Sequence, residues 1–149
     1  MAAGPTTGGR GTPPRGGVAT PAERAGAPAA AAAAKDVLGR RGEDLAVEYL
    51  TACGLVVLDR NWRRREGELD IVATDRSRLV VIEVKTRSGH GYGLPAEAVT
   101  PAKAARIRRL TQAWLAEHRV RWCEIRFDVV AVLAPPDREP TVEHYEGAF

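Results

Sequence analysis

The sequence has few cysteines and no long hydrophobic run, and these two gaps exclude several classes of protein. Its 149 residues include two cysteines, Cys53 and Cys123, with no C-x-x-C spacing and no paired histidine. A structural zinc site or a disulfide framework is therefore not expected, and both thiols are predicted to be buried among apolar neighbours. No stretch approaches the ~18 apolar residues that a membrane-spanning helix needs. We expect a soluble protein of a reducing compartment, located in the cytoplasm.

The first 34 residues lack almost every side chain from which a core is built. They contain 12 Ala, 7 Gly and 5 Pro, but no aromatic residue, no Ile or Leu and a single Val. Such a segment cannot bury enough apolar surface to offset the entropy of ordering it. The sequence therefore predicts a disordered tail over residues 1–35 and one folded domain over residues 36–149, near the commonest domain size.

The folded part also lacks a strong excess of charge of either sign. Residues 37–149 hold 18 Lys and Arg against 17 Asp and Glu, although the whole chain has a net charge of +3 and a pI of about 9.2. This balance does not by itself indicate a nucleic-acid partner, so the placement of the charges matters more than their sum.

The hydrophobic pattern predicts two helices. Apolar residues recur at helical spacing over residues 36–53, with Asp36 as the N-cap and Gly54 as the stop. Thr100 and Pro101 supply an N-cap and a first-position proline for a second helix, which runs to about residue 118. The apolar stripe of this second helix contains Ala104, Ile107, Leu110 or Thr111, Trp114 and Leu115.

Strand-like runs account for most of the remaining sequence. Three short β-rich runs separated by polar turns predict an antiparallel meander. A fourth strand and an edge strand follow the second helix. The order α-β-β-β-α-β-(β) is typical of an α/β domain with a mixed central sheet flanked by helices. The predicted strands cover residues 55–60, 68–74, 79–87, 124–133 and 141–145.

The third predicted strand has one aliphatic face and one face that becomes charged halfway along. Side chains alternate between the two faces of a strand, so Val80, Ile82 and Val84 share one face while Glu83 and Lys85 share the other. The Cα atoms of Glu83 and Lys85 are then ~6.6 Å apart, which lets both side chains reach one bound ion or water.

The second predicted strand carries two acidic residues beside this charged face. By the same alternation Glu68 and Asp70 share a face, and Leu69 and Ile71 lie on the other. In an ordinary hairpin register Asp70 lies beside Glu83 or one step diagonal to it.

Carboxylates placed this close repel each other unless a cation lies among them. Lys85 can neutralise one, and a hard divalent cation such as Mg²⁺, which prefers oxygen ligands, can neutralise the rest. An Asp and a Glu on a metal ion, with a lysine beside the attacking water, are the groups needed for phosphodiester hydrolysis. The same pattern also fits a solvated salt bridge from Glu83 to Lys85 or to arginines 63–65.

Four segments in a fixed order resemble a known family. The sequence from Leu38 to Leu133 resembles the YraN-like uncharacterised protein family, which is similar to the restriction-endonuclease-like superfamily with its PD-(D/E)xK signature and to Holliday-junction resolvases. Leu69 stands where the signature has Pro, and a Gln-x-x-x-Tyr motif has no match at Gln112 because residue 116 is Ala. The four segments are Gly39-Arg40-Arg41-Gly42-Glu43, Gly67-Glu68-Leu69-Asp70-Ile71-Val72, Val81-Ile82-Glu83-Val84-Lys85-Thr86-Arg87 and Arg126-Phe127-Asp128-Val129-Val130.

The resemblance implies a restriction-endonuclease-like fold and assigns roles to four residues. Asp70, Glu83 and Lys85 match the Asp, Glu and Lys of the signature, so the first two would hold Mg²⁺ or Mn²⁺ and Lys85 would assist the water. Glu43 matches the helix-one Glu that completes the metal shell in many relatives. A homodimer is implied as well, because resolvases of this superfamily work as dimers.

Two further carboxylates have simpler interpretations. Glu68 is either a ligand in the metal shell or a solvated strand residue. Asp128 follows an apolar residue in a β run, which favours a hydrogen-bonded structural carboxylate.

Basic residues near these segments predict contacts to nucleic-acid phosphates, with a salt-dependent affinity. One cluster lies in the predicted loop after the first strand and another on a broad face of the second helix. Trp62 and Tyr92 could stack on unpaired bases, although each is more often a packing residue. His90 is interpreted as an ordinary loop residue. The predicted nucleic-acid contacts are Arg63, Arg64, Arg65, Lys103, Arg106 and Arg109.

Three functions fit this sequence. The leading hypothesis is an endonuclease that uses Mg²⁺ or Mn²⁺ and acts on DNA, either branched or single-stranded. The second is a module of nuclease-like fold that binds DNA or RNA without cutting it. The third is a domain that binds a protein partner.

Overall fold

The computed structural model describes residues 21–89 and 99–149. Its five strands form one mixed sheet in the order β1-β2-β3-β4-β5, antiparallel except for the parallel pair β3 and β4. This arrangement confirms the predicted α/β class, the antiparallel meander and the edge strand, in the order that the restriction-endonuclease-like resemblance implies. The elements are α1 (Pro21–Ala52), β1 (Val56–Arg64), β2 (Gly67–Thr74), β3 (Arg78–Arg87), α2 (Pro101–Glu117), β4 (Glu124–Leu133) and β5 (Thr141–Tyr145).

The sheet separates two apolar cores, one under each helix. α1 buries Ala46 and Leu50 against one face, where Val80 and Ile82 of β3 meet them. α2 packs against the other face and serves as the crossover that a parallel strand pair requires. No helix in the described ranges is long and apolar enough to cross a membrane. The core under α2 contains Trp62, Leu69, Val72, Leu79, Val81, Ile107, Leu110 and Trp114.

The second helix begins as the sequence predicts. The Oγ1 atom of Thr100 accepts a hydrogen bond of 3.1 Å from the backbone N–H of Lys103, and Pro101 occupies the first helical position. The predicted stripe is confirmed, because Ala104, Ile107, Leu110, Thr111 and Trp114 are its buried residues.

The predicted start of the first helix is wrong. α1 begins at Pro21, so Asp36 lies inside the helix and is not its N-cap. Residues 28–37 are all exposed, and the alanine run at 29–34 extends the helix by intrinsic propensity without tertiary packing. Residues 1–20 lie outside the described ranges, so the predicted boundary at residue 35 stays a prediction.

The predicted end of the first helix is confirmed. Gly54 has a φ of 93°, a left-handed conformation that glycine adopts without steric cost. The backbone N–H of Leu55 donates to the carbonyl of Leu50 at 3.0 Å and closes the last turn. The prediction that both thiols are buried is wrong, since Cys53 is exposed and Cys123 is half-buried. Cys53 follows the last buried residue of α1 and therefore lies beyond its packed face.

The arginine run after the first strand belongs to the strand and not to a loop. β1 continues to Arg64, and only Arg65 and Glu66 form the turn into β2. Polarity suggested a loop, but Arg63 lies opposite Glu68 in the register and forms an ion pair with it. Cross-strand pairs of opposite charge stabilise a hairpin, so a polar sequence forms a strand here.

The β1–β2 hairpin twists at Asn61, and this overturns the predicted faces of β2. Leu69 packs with Trp62 in the core under α2, whereas Ile71 packs in the core under α1, so the two do not share a face. Asn61 has a left-handed φ of 51°, and the register skips its pairing with Asp70. The twist leaves Asp70 at a break in the ladder, where its side chain can bond to β3.

Candidate active site

The first helix lies very close to β3 at Gly42. A Cβ atom built on Gly42 would clash with Oγ1 of Thr86, so only glycine permits this approach. The contact places the next residue, Glu43, against the cleft that Asp70 and Glu83 line. The need for glycine at residue 42 thus determines where the side chain of Glu43 lies.

Asp70 lies where β2 separates from β3. The last paired residues are Ile71 and Ile82, and beyond them the backbone N–H of Val84 donates to Oδ2 of Asp70 at 2.9 Å. The carboxylate therefore takes the place of a strand carbonyl. Continuing the register would place Asp70 opposite Glu83, and each of these residues is only 8% exposed.

Glu43, Glu68, Asp70 and Glu83 line one cleft. Its volume is about 230 Å³. A larger cleft of about 680 Å³ adjoins it, shares Lys35, Glu43 and Glu68 with it, and continues past Arg40 and Arg63. The inner end is thus acidic and the outer end carries basic side chains. The residues that line the inner cleft are Lys35, Leu38, Gly39, Glu43, Glu68, Asp70, Glu83, Val84 and Thr86.

The negative charge at the inner end is not fully compensated. Burial raises the pKa of Asp70, and the carboxylates of Glu83 and Glu43 add to this, so that its pKa reaches about 8 despite the hydrogen bond from Val84. Asp70 therefore holds a proton at neutral pH unless a cation comes close.

Two lysines meet at Glu83. The Nζ atom of Lys85 lies 3.5 Å from Oε1 of Glu83, and Nζ of Lys103 forms an ion pair with the same oxygen. Burial lowers the pKa of Lys85, and the neighbouring Lys103 lowers it further. Burial also acts against the charged form of Lys103, but its hydrogen bonds with Glu83 and Lys85 outweigh this and raise its pKa.

The sequence predicts Lys103 as a phosphate contact on a broad face of the second helix, but in the structure its side chain is directed to Glu83. Its side chain is one-quarter exposed and reaches from the first turn of α2 to Glu83. A sequence signal was available, because a cation is disfavoured at a helix N-terminus and therefore indicates a nearby carboxylate.

The model of the uncharacterised protein family UPF0102 matches residues 42–132. The chain belongs to this family. A UPF0102 protein from Acidothermus cellulolyticus is 53% identical over 131 residues, which cover 81% of this chain and 99% of the relative. One from Frankia casuarinae is 58% identical over 116 residues, which cover 78% of this chain and 98% of the relative. One from Rhodococcus opacus is 52% identical over 112 residues, which cover 75% of this chain and 95% of the relative.

The part that matches the UPF0102 model contains the carboxylates and lysines of the candidate site, whereas the cleft residues before Gly42 precede it. It starts at Gly42, the residue that sets the approach of α1, and it includes Asp70, Glu83, Lys85 and Lys103. It ends before β5, so the edge strand lies outside the matched range.

The arginines of β1 have carboxylate partners in this UPF0102 chain. Nε of Arg63 lies 2.9 Å from Oε2 of Glu68. Arg64 forms an ion pair with Glu117 and lies over the ring of Trp62, 4.3 Å from its centroid. Trp62 is buried in the core, which confirms the packing interpretation.

The other predicted phosphate contacts remain exposed. Arg65, Arg106 and Arg109 form no ion pair within the described ranges. Gly67 lies beside the side chain of Arg106, which places that arginine next to the β1–β2 turn. Tyr92 and His90 lie outside the described residues.

Asp128 is a structural carboxylate, as predicted. It is fully buried and accepts hydrogen bonds from Nε and Nη2 of Arg126, both at 2.8 Å, and from the backbone N–H of Gly147 at 2.9 Å. Nε2 of His144 lies 2.7 Å from its Oδ2. Burial alone would raise the pKa of Asp128, but these hydrogen bonds outweigh it and lower the pKa. The network holds β5 and the following turn against β4.

The side chains around Asp70 fit a magnesium ion held by few protein ligands. Within residues 21–89 and 99–149, no three His, Cys, Asp or Glu side chains are grouped closely enough to hold a metal ion as they stand. Asp70 and Glu83 supply two carboxylates, and Mg²⁺ is usually bound through one or two carboxylates and several waters. The raised pKa of Asp70 agrees with this fit, because it reflects burial of this carboxyl beside the carboxylates of Glu83 and Glu43.

Proposed function

We propose that the protein is a metal-dependent nuclease that hydrolyses phosphodiester bonds of DNA, either branched or single-stranded. In this proposal Asp70 and Glu83 hold Mg²⁺ or Mn²⁺, and Glu43 completes the shell directly or through water. The observation that carries the proposal is the burial of Asp70 beside Glu83 in an acidic cleft, with the pKa of Asp70 raised to about 8. Burying two carboxylates side by side destabilises a fold, so the pair is better explained by a ligand than by folding.

The chain's own groups have separate tasks in the reaction. The ion, when bound, polarises the phosphate and promotes ionisation of water. Lys85, half-buried and beside Glu83, orients the attacking water and stabilises the charge that develops on the phosphate. Lys103 positions the Glu83 carboxylate through its ion pair.

The wider cleft provides the approach for the DNA backbone. Lys35, Arg40 and Arg63 line it and lead to the acidic inner end. Arg63 pairs with Glu68 at an exposed position, where a phosphate can replace the carboxylate at small cost. Binding is expected to weaken as salt rises.

The test is a cleavage assay on linear duplex, single-stranded and four-way-junction DNA with Mg²⁺ or Mn²⁺. Asp70→Ala and Lys85→Ala are expected to lower the cleavage rate by at least ~100-fold. Glu48→Gln serves as the matched control, because Glu48 is an exposed carboxylate of α1 that lines neither cleft. Metal-dependent cleavage that survives both alanine variants would refute the assignment of the site.

The ion pair between Lys103 and Glu83 favours a second candidate, a module that binds nucleic acid without cutting it. An ammonium group already compensates Glu83 there. This candidate predicts no cleavage product with any divalent ion. It also predicts salt-dependent binding whose slope falls when arginines 63–65 are replaced.

Two further parts of the proposal concern location and assembly. We place the protein in the cytoplasm, where DNA is accessible, and we propose that it acts as a homodimer. Sedimentation equilibrium with and without junction DNA tests the second point, and a monomer in both conditions would exclude it.

A further inference from the structure

Trp122 is almost completely exposed in the segment between α2 and β4. It is 93% exposed, whereas the other two tryptophans of the chain, Trp62 and Trp114, are 8% and 3% exposed. Indole rings are large and are usually buried in cores or interfaces. The fold makes no use of this ring, so its exposure suggests a partner.

Arginines lie in the same segment as Trp122 and in the neighbouring turn. Arg119 and Arg121 precede it in the same segment. Arg76 lies in the neighbouring turn, because Arg78 and Glu124 are paired in the register of β3 and β4 and form an ion pair at 3.5 Å. The turn before β3 and the segment before β4 therefore lie side by side. We call Arg76, Arg119, Arg121 and Trp122 the tryptophan–arginine surface.

The acidic residues near this surface are already paired with other groups. Asp75 bonds to Nε of Arg78 at 2.8 Å, and Glu124 is the second partner of Arg78. Asp59 accepts a hydrogen bond of 3.0 Å from the ring N–H of Trp114. Glu117 pairs with Arg64.

The arginines of the surface are left without such partners. Arg76, Arg119 and Arg121 form no ion pair in the part of the chain that the structure describes. The surface therefore carries uncompensated positive charge, which complements an anionic polymer.

Two of these arginines occupy backbone positions that suit glycine. Arg76 has a φ of 79° and Arg119 a φ of 54°. Among the described residues, Asn61 is the only other non-glycine residue with positive φ. Arg119 follows the C-terminus of α2, where glycine is the usual residue. Both side chains are exposed, so the fold gains little from either arginine and glycine would be less strained.

We propose that the tryptophan–arginine surface is a second nucleic-acid contact, in which Trp122 stacks on an unpaired base and the arginines bind the adjoining phosphates. Stacking on an exposed aromatic ring combined with backbone contacts is a general mode of single-strand binding. Within the described ranges Val120 is the one other exposed large apolar residue of this segment, so the segment by itself does not form the broad apolar patch typical of a protein interface.

This contact is separate from the candidate active site. Arg78 begins β3, and Glu83 lies five residues later, about 16 Å further along the strand. The surface lies beyond the first residues of β3 and β4, at the opposite end from the acidic cleft. The inference rests on the proposed function only for the choice of DNA as the polymer.

Trp122 provides its own reporter. Titration with an unlabelled oligo(dT) of about 16 nucleotides, without divalent ions, should quench the tryptophan fluorescence. The bound oligonucleotide should also shield the Trp122 ring from collisional quenching by acrylamide. Trp62 and Trp114 are buried, so the change reports on Trp122. Anisotropy of a labelled oligo(dT) should show binding about 5- to 100-fold weaker for Trp122→Ala. Leu58→Ala is the matched control, because Leu58 is also an exposed apolar residue and lies on β1.

Arg119→Gly separates a binding role from a structural one. It should leave the melting temperature unchanged or raise it, because it relieves the left-handed backbone, and yet weaken oligo(dT) binding. The slope of log affinity against log salt should fall by about 0.7 for each phosphate that the variant no longer neutralises. Arg41→Ala, which removes an exposed arginine of α1, should leave the oligo(dT) affinity unchanged.

The outcomes distinguish this inference from the proposed function. Suppose that DNA cleavage depends on Asp70, that oligo(dT) leaves the fluorescence of the wild type unchanged and that Trp122→Ala binds oligo(dT) with unchanged affinity. This result overturns only the tryptophan–arginine surface. Quenching with no cleavage under any metal supports the surface and overturns the nuclease. Self-association that Trp122→Ala abolishes, without any effect on oligo(dT) binding, overturns the inference and identifies an interface between copies of this chain.

Discussion

The Asp70 carboxylate accepts a hydrogen bond of 2.9 Å from the backbone N–H of Val84 and so bridges β2 to β3 where their ladder ends. This contact places an acidic group at the bottom of a cleft without leaving a strand N–H unsatisfied. It also buries the group beside Glu83, and the pKa of Asp70 follows from that position.

Asp70 should make the metal-free protein less stable as the pH rises. The pKa of Asp70 is about 8 in the folded protein and 3.8 ordinarily, so the folded state holds the proton more tightly. Its contribution to stability is therefore fully present below about pH 4 and is lost as the pH rises through about 8.

Thermal melts of the wild type and Asp70→Asn, recorded with a chelator from about pH 5 to pH 9, test this sign. The melting temperature of the wild type should fall relative to that of Asp70→Asn as the pH rises. Mg²⁺ should raise the melting temperature of the wild type near pH 8 but not that of the variant. If the melting temperatures of the two proteins change with pH in parallel, the raised pKa of Asp70 is contradicted.

Gly42→Ala should destabilise the protein by about 1–3 kcal/mol, because the added methyl group clashes with Thr86 where α1 meets β3. Denaturant unfolding measures the loss, and adding Thr86→Ala should restore most of it. Gly39→Ala is the control: no atom lies within 4 Å of its added Cβ, and alanine is the better helix former, by up to about 1 kcal/mol. Equal effects at both glycines would show that close approach is not the cause.

Asp128→Ala should cost about 3–5 kcal/mol, since it removes the buried carboxylate to which Arg126, His144 and the backbone N–H of Gly147 bond. The lowered pKa of Asp128 means that its contribution is present above its ordinary pKa and is lost as the pH falls through the folded value. Replacing Asp44, which forms an exposed pair with Arg60, should cost only about 0–1 kcal/mol. Chemical denaturation of both variants compares the two, and a small loss for Asp128→Ala would exclude a supporting role for the network.

Lys103→Met should lower kcat for DNA cleavage and leave KM nearly unchanged, because its ammonium group acts on Glu83 and not on the DNA backbone. Arg106→Met should instead raise KM and reduce the salt dependence of binding, since Arg106 is exposed and the sequence predicts it to contact phosphate. Steady-state kinetics on a short DNA substrate compares the two. A rise in KM alone for Lys103→Met would indicate that this lysine contacts the DNA backbone directly.

The sequence alone determined the elements whose signals are local. The Thr100 cap, Pro101 and the apolar stripe of α2 lie within a few residues of one another, and the structure has them as predicted. The same holds for the bounds of β4 and β5 and for the alternation of β3, in which Ile82 packs under α1 while Val81 packs under α2. Hydrophobic periodicity, helix caps and turn residues act through neighbouring positions in the chain, so they can be recognised without knowing the fold.

The tertiary structure decided which distant side chains meet. The twist at Asn61 put Leu69 and Ile71 on opposite faces and brought Asp70 to β3, and no periodicity in β2 indicates this. Lys103 reaches Glu83 across twenty residues of sequence. His144 meets Asp128 only because β5 pairs with β4. Such contacts depend on strand register and helix approach, which the packing of the whole domain sets, so the acidic motif was visible in the sequence but the charges that surround it were not.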